Sequence, residues 1–195
     1  MKPFALIVSL LAVVLAFSAR GAVRAQVPPP PTPSPDPHLY SDPGMNFTAP
    51  PEAVLLGRRY LSLNALTDEL QTVAVWAVRP GKDDMRTIQL SMESFEGAPD
   101  QWEGQFESQM HNAGGNGLLI RHKTPMALLN GMPANFVEVT SGSGFTTQKQ
   151  YAVVWADGQR GIVLSESTRL GDAGPDEAKR LLHDVTATRY PLEQP

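Results

Sequence analysis

The chain has 195 residues, enough for one ordinary domain with extensions. It contains no cysteine, which excludes disulfides, thiolate metal sites and a lipid-bearing cysteine behind an export signal. Its formal charge is −4 at pH 7 with the basic residues scattered, which argues against nucleic-acid binding, where affinity for phosphates comes from clustered Lys and Arg.

The first elements are read as export machinery. Lys2 supplies a positive start, and residues 3–17 (PFALIVSLLAVVLAF) form an uncharged, mostly apolar run. That run is shorter than the roughly 20 residues a membrane-spanning helix needs, and it suits the apolar region of a signal peptide. Val23-Arg24-Ala25 fits the small-x-small cleavage pattern, so cleavage is expected between Ala25 and Gln26. Arg20 and Arg24 suit the alternative, an uncleaved N-terminal anchor. Cleavage removes Lys2, Arg20 and Arg24 and no acid, so the charge of −4 becomes −7. The expected location is periplasmic or secreted, in a bacterium, with no stable membrane anchor after cleavage. The sequon Asn46-Phe47-Thr48 is of a length that arises by chance.

Residues 27–37 (VPPPPTPSPDP) hold seven prolines, a composition that prefers extended polyproline II. Such a stretch serves either as a ligand for a proline-binding groove or as a semi-rigid tether. The tether needs no partner and is the expectation. Residues 26–44 are accordingly read as a disordered linker, and residues 45–191 as a single domain. Within that domain, 45–49 suggests a short first strand, while 52–69 fits neither the helical nor the strand period. Residues 72–79 and 86–94 read as strands joined by a hairpin. In the second, Ile88, Leu90 and Met92 face inward and Gln89, Ser91 and Glu93 face water. Trp102, Phe106 and Met110 recur every four residues and mark a helix from Pro99, with Asp100 and Glu103 as a capping box and Gly114-Gly115 as its stop. Four strand-like segments follow: "LLIRHK", 135–140, 147–156 and 160–167. Asp157-Gly158 reads as a type I′ hairpin turn. A helix opened by Pro175, with Ala178, Leu181, Leu182 and Val185 on its apolar stripe, closes the chain before Pro191. The class is α+β: an antiparallel sheet with helices packed against it, in the order ββαβ(β)ββα.

No catalytic constellation stands out. His38, His111, His122 and His183 lack ligand spacing, so no metal site is assigned. Ser143 in "SGSGF" has the wrong flanks for a nucleophile elbow, and its context is strand to strand. Asp83-Asp84 lie in a turn, while Glu138 and Glu166 are isolated strand residues. Gly114 to Gly117 follows a helix, whereas a phosphate-binding loop precedes one. Trp76, Trp102 and Trp155 fit core positions better than a ligand pocket. No catalytic residue and no cofactor is assigned.

The stretch "NGMPANFVEVTSG", the strand "QKQYAVVWADGQRGIVLSES" and the tail "DEAKRLLHDVTATRYP" together resemble the PsbP-like superfamily. That fold is shared by the oxygen-evolving protein PsbP, the periplasmic protein DcrB, mycobacterial LpqN-type proteins and a Ran-binding nuclear import factor. The pattern falls on Gly131, Pro133 and Ala134 as a bend, then Tyr151 to Trp155, Asp157-Gly158, Ile162 to Ser167, and Leu181 to Tyr190. It covers the C-terminal half. The Pro-x-Gly-Trp that usually ends the first strand is replaced by Pro50-Pro51-Glu52-Ala53. The resemblance implies an accessory, adaptor or lipid-associated protein with no catalytic set to carry over. The expected function is therefore an exported, non-catalytic accessory protein that binds an envelope protein or a small, lipid-like apolar ligand. The alternatives are a hydrolase whose site assembles only in space, and a domain held at the membrane by its uncleaved N-terminus.

Overall fold

A computed structural model describes residues 36–81, 85–114, 118–141, 148–168 and 175–188. The molecule is a mixed α+β fold with two antiparallel sheets and two helices. Ten strands occur among the described residues: β1 (Leu39–Asp42), β2 (Met45–Thr48), β3 (Ala53–Arg58), β4 (Gln71–Val78), β5 (Arg86–Ser94), β6 (Leu118–Ala127), β7 (Pro133–Ser141), β8 (Gln148–Ala156), β9 (Arg160–Thr168) and β10 (Val185–Ala187). Helix α1 (Pro99–Gly114) lies between β5 and β6, and α2 (Pro175–Leu182) lies between β9 and β10. The large sheet has the order β3-β4-β5-β9-β8-β7-β6, and the small one β1-β2-β10.

Two-residue alternation divides the large sheet into two faces, each with its own core. Tyr151, Val153 and Trp155 of β8 join Ile88, Leu90 and Met92 of β5 against the small sheet (Tyr40, Met45, Phe47, Val185) and α2 (Ala178, Leu182). Ala152, Val154 and Ala156 join Val137, Val139 and Val163 on the opposite face under Trp102 and Phe106 of α1. The order of layers is therefore small sheet with α2, large sheet, α1. Lys179 caps the first core, its Nζ 5.0 Å from the centre of the Phe136 ring, which stacks on Tyr151 at 5.9 Å. On the other face, a Cβ at Gly161 would lie 2.5 Å from the Trp102 indole, so only glycine lets that ring settle on β9.

Several expectations are corrected. The fold starts before Met45: 39–42, assigned to the linker, is strand β1, paired with β2 from Leu39↔Thr48 to Asp42↔Met45. Asp42 makes this possible by accepting the backbone N–H groups of Gly44 and Met45 at 2.8 and 3.0 Å, which builds a tight turn from a residue that favours one. The final helix ends at Leu182, and Val185 reaches the core as part of β10, paired with Phe47 of β2. His183-Asp184 followed by Val-Thr-Ala-Thr is poor helix material, and its β-branched residues suit a pleated surface. The face of β5 expected to be wet is covered: Ser91 and Glu93 are buried, and Glu93 meets Gln105 and Gln109 of α1. The α1 cap is not Asp100 with Glu103. Gln101 reaches back and accepts the N–H of Ala98 at 3.1 Å, while Glu103 faces inward. In the β8–β9 hairpin only Gly158 has positive φ (+95°) while Asp157 does not, so the turn is not type I′. The two central residues are Gly158 and Gln159, since Asp157 N–H donates to Arg160 O at 3.1 Å.

Candidate functional site

Most of the buried polar side chains that could carry chemistry are occupied in holding layers together. Arg160 is 2% exposed and engages both Asp42 and Asp157. Its Nε donates to Asp157 Oδ2 at 2.7 Å, and its Nη1 to Asp42 Oδ2 at 2.6 Å. The triad ties the β1–β2 turn to the β8–β9 turn. Burial alone would lower the Arg160 pKa, but the two carboxylates outweigh it and hold the guanidinium charged. Burial raises Asp157, with Arg160 opposing. At the other end of the sheet, Arg86 lies 3.0 Å from Glu166 and donates to Glu177 of α2 at 2.8 Å. Burial raises the Glu166 carboxyl, Arg86 opposes, and Glu177 adds to the rise. Across the sheet, Lys123 meets Glu103 at 2.5 Å and Asn135 donates to the same carboxylate at 2.9 Å, which fixes α1 to β6 and β7.

Glu93 differs from these. Its carboxylate is fully buried on β5 and receives two amide donors, Gln105 at 2.5 Å and Gln109 at 2.8 Å. Burial pushes its pKa up to about 7, the two amides partly oppose, and Asp68 adds to the rise.

The residues singled out in the sequence are dispersed. Gly131 takes φ +87° in the β6–β7 connection, where its N–H donates to Leu128 O at 2.8 Å. Pro133 and Ala134 open β7 opposite Ala127 and Met126. Asn130 has a role that the sequence did not suggest: its side chain pairs with the backbone of Ala187, as a strand neighbour would, and so holds β10. Trp76, Trp102 and Trp155 are core residues. His38 lies just before β1, while His111 and His183 are exposed at helix ends. His122 stands opposite Glu138 in the β6–β7 register. Among the described residues, no three His, Asp or Glu side chains gather as a metal site. Ala25, Gln26, Asp83, Asp84, Gly115, Ser143 and Tyr190 lie outside the described residues.

What the sequence missed is the free edge of the large sheet. Edge β6 carries Lys123 and Pro125, residues that discourage further strand pairing. Edge β3 carries Val54 and Leu56, 48% and 63% exposed. The register skips Leu56 of β3 in its pairing with β4, and Val73 of β4 in its pairing with β5. Between them opens a groove of about 400 Å³ lined by Leu56 to Arg59 and Thr72 to Val75. Arg59 is anchored by its Nε to Thr72 O at 2.7 Å. The signal was present as an apolar run, Val54-Leu55-Leu56, ending at a glycine, but the bulge shifts the alternation and hides the strand.

No known protein-family model matches this chain, and no curated protein matches it either.

Proposed function

We propose that the chain is an exported, non-catalytic accessory protein of the cell envelope whose edge β3 receives a partner protein or a lipid-like apolar ligand. The carrying observation is the exposure of Val54 and Leu56 beside the groove, on a sheet edge whose only charged residue is Arg58 at its end. An unpaired edge offers main-chain N–H and C=O groups for an added strand, and exposed apolar side chains beside it supply pockets and area. The charged clusters support the reading in a second way, because Arg160, Arg86 and Lys123 are occupied in joining layers.

Capture from envelope extract tests this. The exported chain should enrich a protein or lipid, and Leu56→Asp should lose it while shifting stability by no more than about 0.5 kcal/mol, as expected at an exposed site. Enrichment that survives Leu56→Asp, or none with the unaltered chain, would defeat the proposal.

A further inference from the structure

The two edges of the large sheet are treated differently. Edge β6 is blunted by Lys123 and Pro125, whereas edge β3 keeps Val54 and Leu56 in the open. An open apolar edge invites strand after strand unless one partner closes it. A second copy placed by a two-fold axis closes both edges at once, because each strand is then used up by the other.

The sequence around β3 is complementary to itself when run in the opposite direction. Leu55 packs against the first core, and Val54 and Leu56 on either side of it project from the other face. Exposed Glu52 precedes the strand and exposed Arg59 follows it. Arg59 is still in line with the sheet, since its N–H donates to Val73 O at 2.8 Å. Strand β4 meets Leu56 and Gly57 as one bulged position, between the pairs Leu55↔Trp76 and Gly57↔Val75. Counted the same way on the outer side, an axis at Leu55 sets Val54 of each copy opposite Leu56 of the other, and Glu52 opposite Arg59. Apolar side chains then meet at the centre and opposite charges at both ends. Moving the axis one position either way sets Leu56 against Glu52 or Val54 against Arg59. Parallel pairing sets each charge against its like. The bulge adds right-handed twist to the edge, which a flat strand does not follow and an identical strand does.

We propose that β3 pairs antiparallel with β3 of a second copy of this chain, about a two-fold axis at Leu55, joining two seven-stranded sheets into one. The proposal rests on the reading of β3 as a binding edge and names its occupant.

Sedimentation equilibrium of the exported chain over a concentration series should show monomer passing to dimer and no further. Leu56→Asp, a change at an exposed site, should weaken the dimer at least about tenfold by setting a carboxylate against Val54. Glu52→Arg should weaken it too, by facing Arg59 with a like charge. The register is read by disulfide capture, which the absence of cysteine makes clean. Chains carrying Val54→Cys, mixed with chains carrying Leu56→Cys, should link on mild oxidation, because directly opposed residues lie about 4.5–5.5 Å apart. Val54→Cys chains alone should link far less, since their cysteines are diagonal neighbours about 7–8 Å apart, beyond the reach of a disulfide. A chain that stays monomeric, a dimer that Leu56→Asp leaves unchanged, or Val54→Cys that links to itself as readily as to Leu56→Cys would overturn the proposal. A monomer that still captures another protein or a lipid through Leu56 defeats this inference alone. A dimer linked as expected that enriches nothing from envelope extract but itself defeats the accessory reading alone.

Discussion

Replacing Glu93 with Gln is expected to stabilise the protein at pH 8 and to change little at pH 4.5. The carboxyl is fully buried between β5 and α1 and meets Gln105 and Gln109. Burial lifts its pKa from 4.5 in a free chain to about 7 in the fold. Between those values the folded chain keeps a proton that the unfolded chain releases, so stability falls as pH rises through this window. Above pH 7 the whole penalty is present. Each unit is worth about 1.4 kcal/mol, so ionised Glu93 costs the fold about 3 kcal/mol. Gln cannot ionise, and the amides of Gln105 and Gln109 can rotate to present oxygen as readily as nitrogen. The check is urea unfolding of both proteins in steps from pH 4.5 to 8. Their stability curves should meet at the acid end and separate by about 3 kcal/mol at the alkaline end. Parallel curves would refute the reasoning, because Glu93 would then titrate alike in both states.

Gly161→Ala should cost about 1–3 kcal/mol, because its Cβ would lie 2.5 Å from the Trp102 ring, and an overpacked core must shift. Amide exchange in α1 should accelerate, and unchanged protection there would contradict the assigned contact. Arg160→Met should cost about 3–5 kcal/mol by leaving Asp42 and Asp157 buried without their cation. Exchange should rise most in β1 and β2, which the triad anchors; a rise spread evenly over the large sheet would show that the triad is not what holds them.

The periodic elements were legible in the sequence because their environment is regular. Strand β5 matches residues 86–94, and α1 carries Trp102, Phe106 and Met110 inward as its spacing required. The two faces of β8 separate as the alternation of Tyr151, Val153 and Trp155 with Ala152, Val154 and Ala156 implied. What was not legible depends on partners distant in the chain. Glu93 reads as a solvent-facing residue until α1 is laid over it. Residues 39–42 read as linker until Arg160, 118 positions later, closes on Asp42. Val185 continues a helical stripe until β2 offers it an edge. The candidate edge was hidden for a local reason: the bulge at Leu56 breaks the two-residue period of β3 on which strand recognition rests. The start of the described fold belongs with the distant partners: nothing near Asp36 and Pro37 shows that Arg58 and Trp76 will donate to their carbonyls.

The pairing of β2 with β10 sets an order of events in folding. Phe47 and Val185 are 138 positions apart, so the small sheet cannot close until nearly the whole chain is available. Closing so long a loop is an entropic cost that no earlier contact repays, and assembly of this kind is slow. The small sheet also forms one wall of the first core, so a chain still missing its last residues leaves Phe47 and Trp76 without a cover. Completion of the first core is thereby deferred until β10 has been made and has found β2.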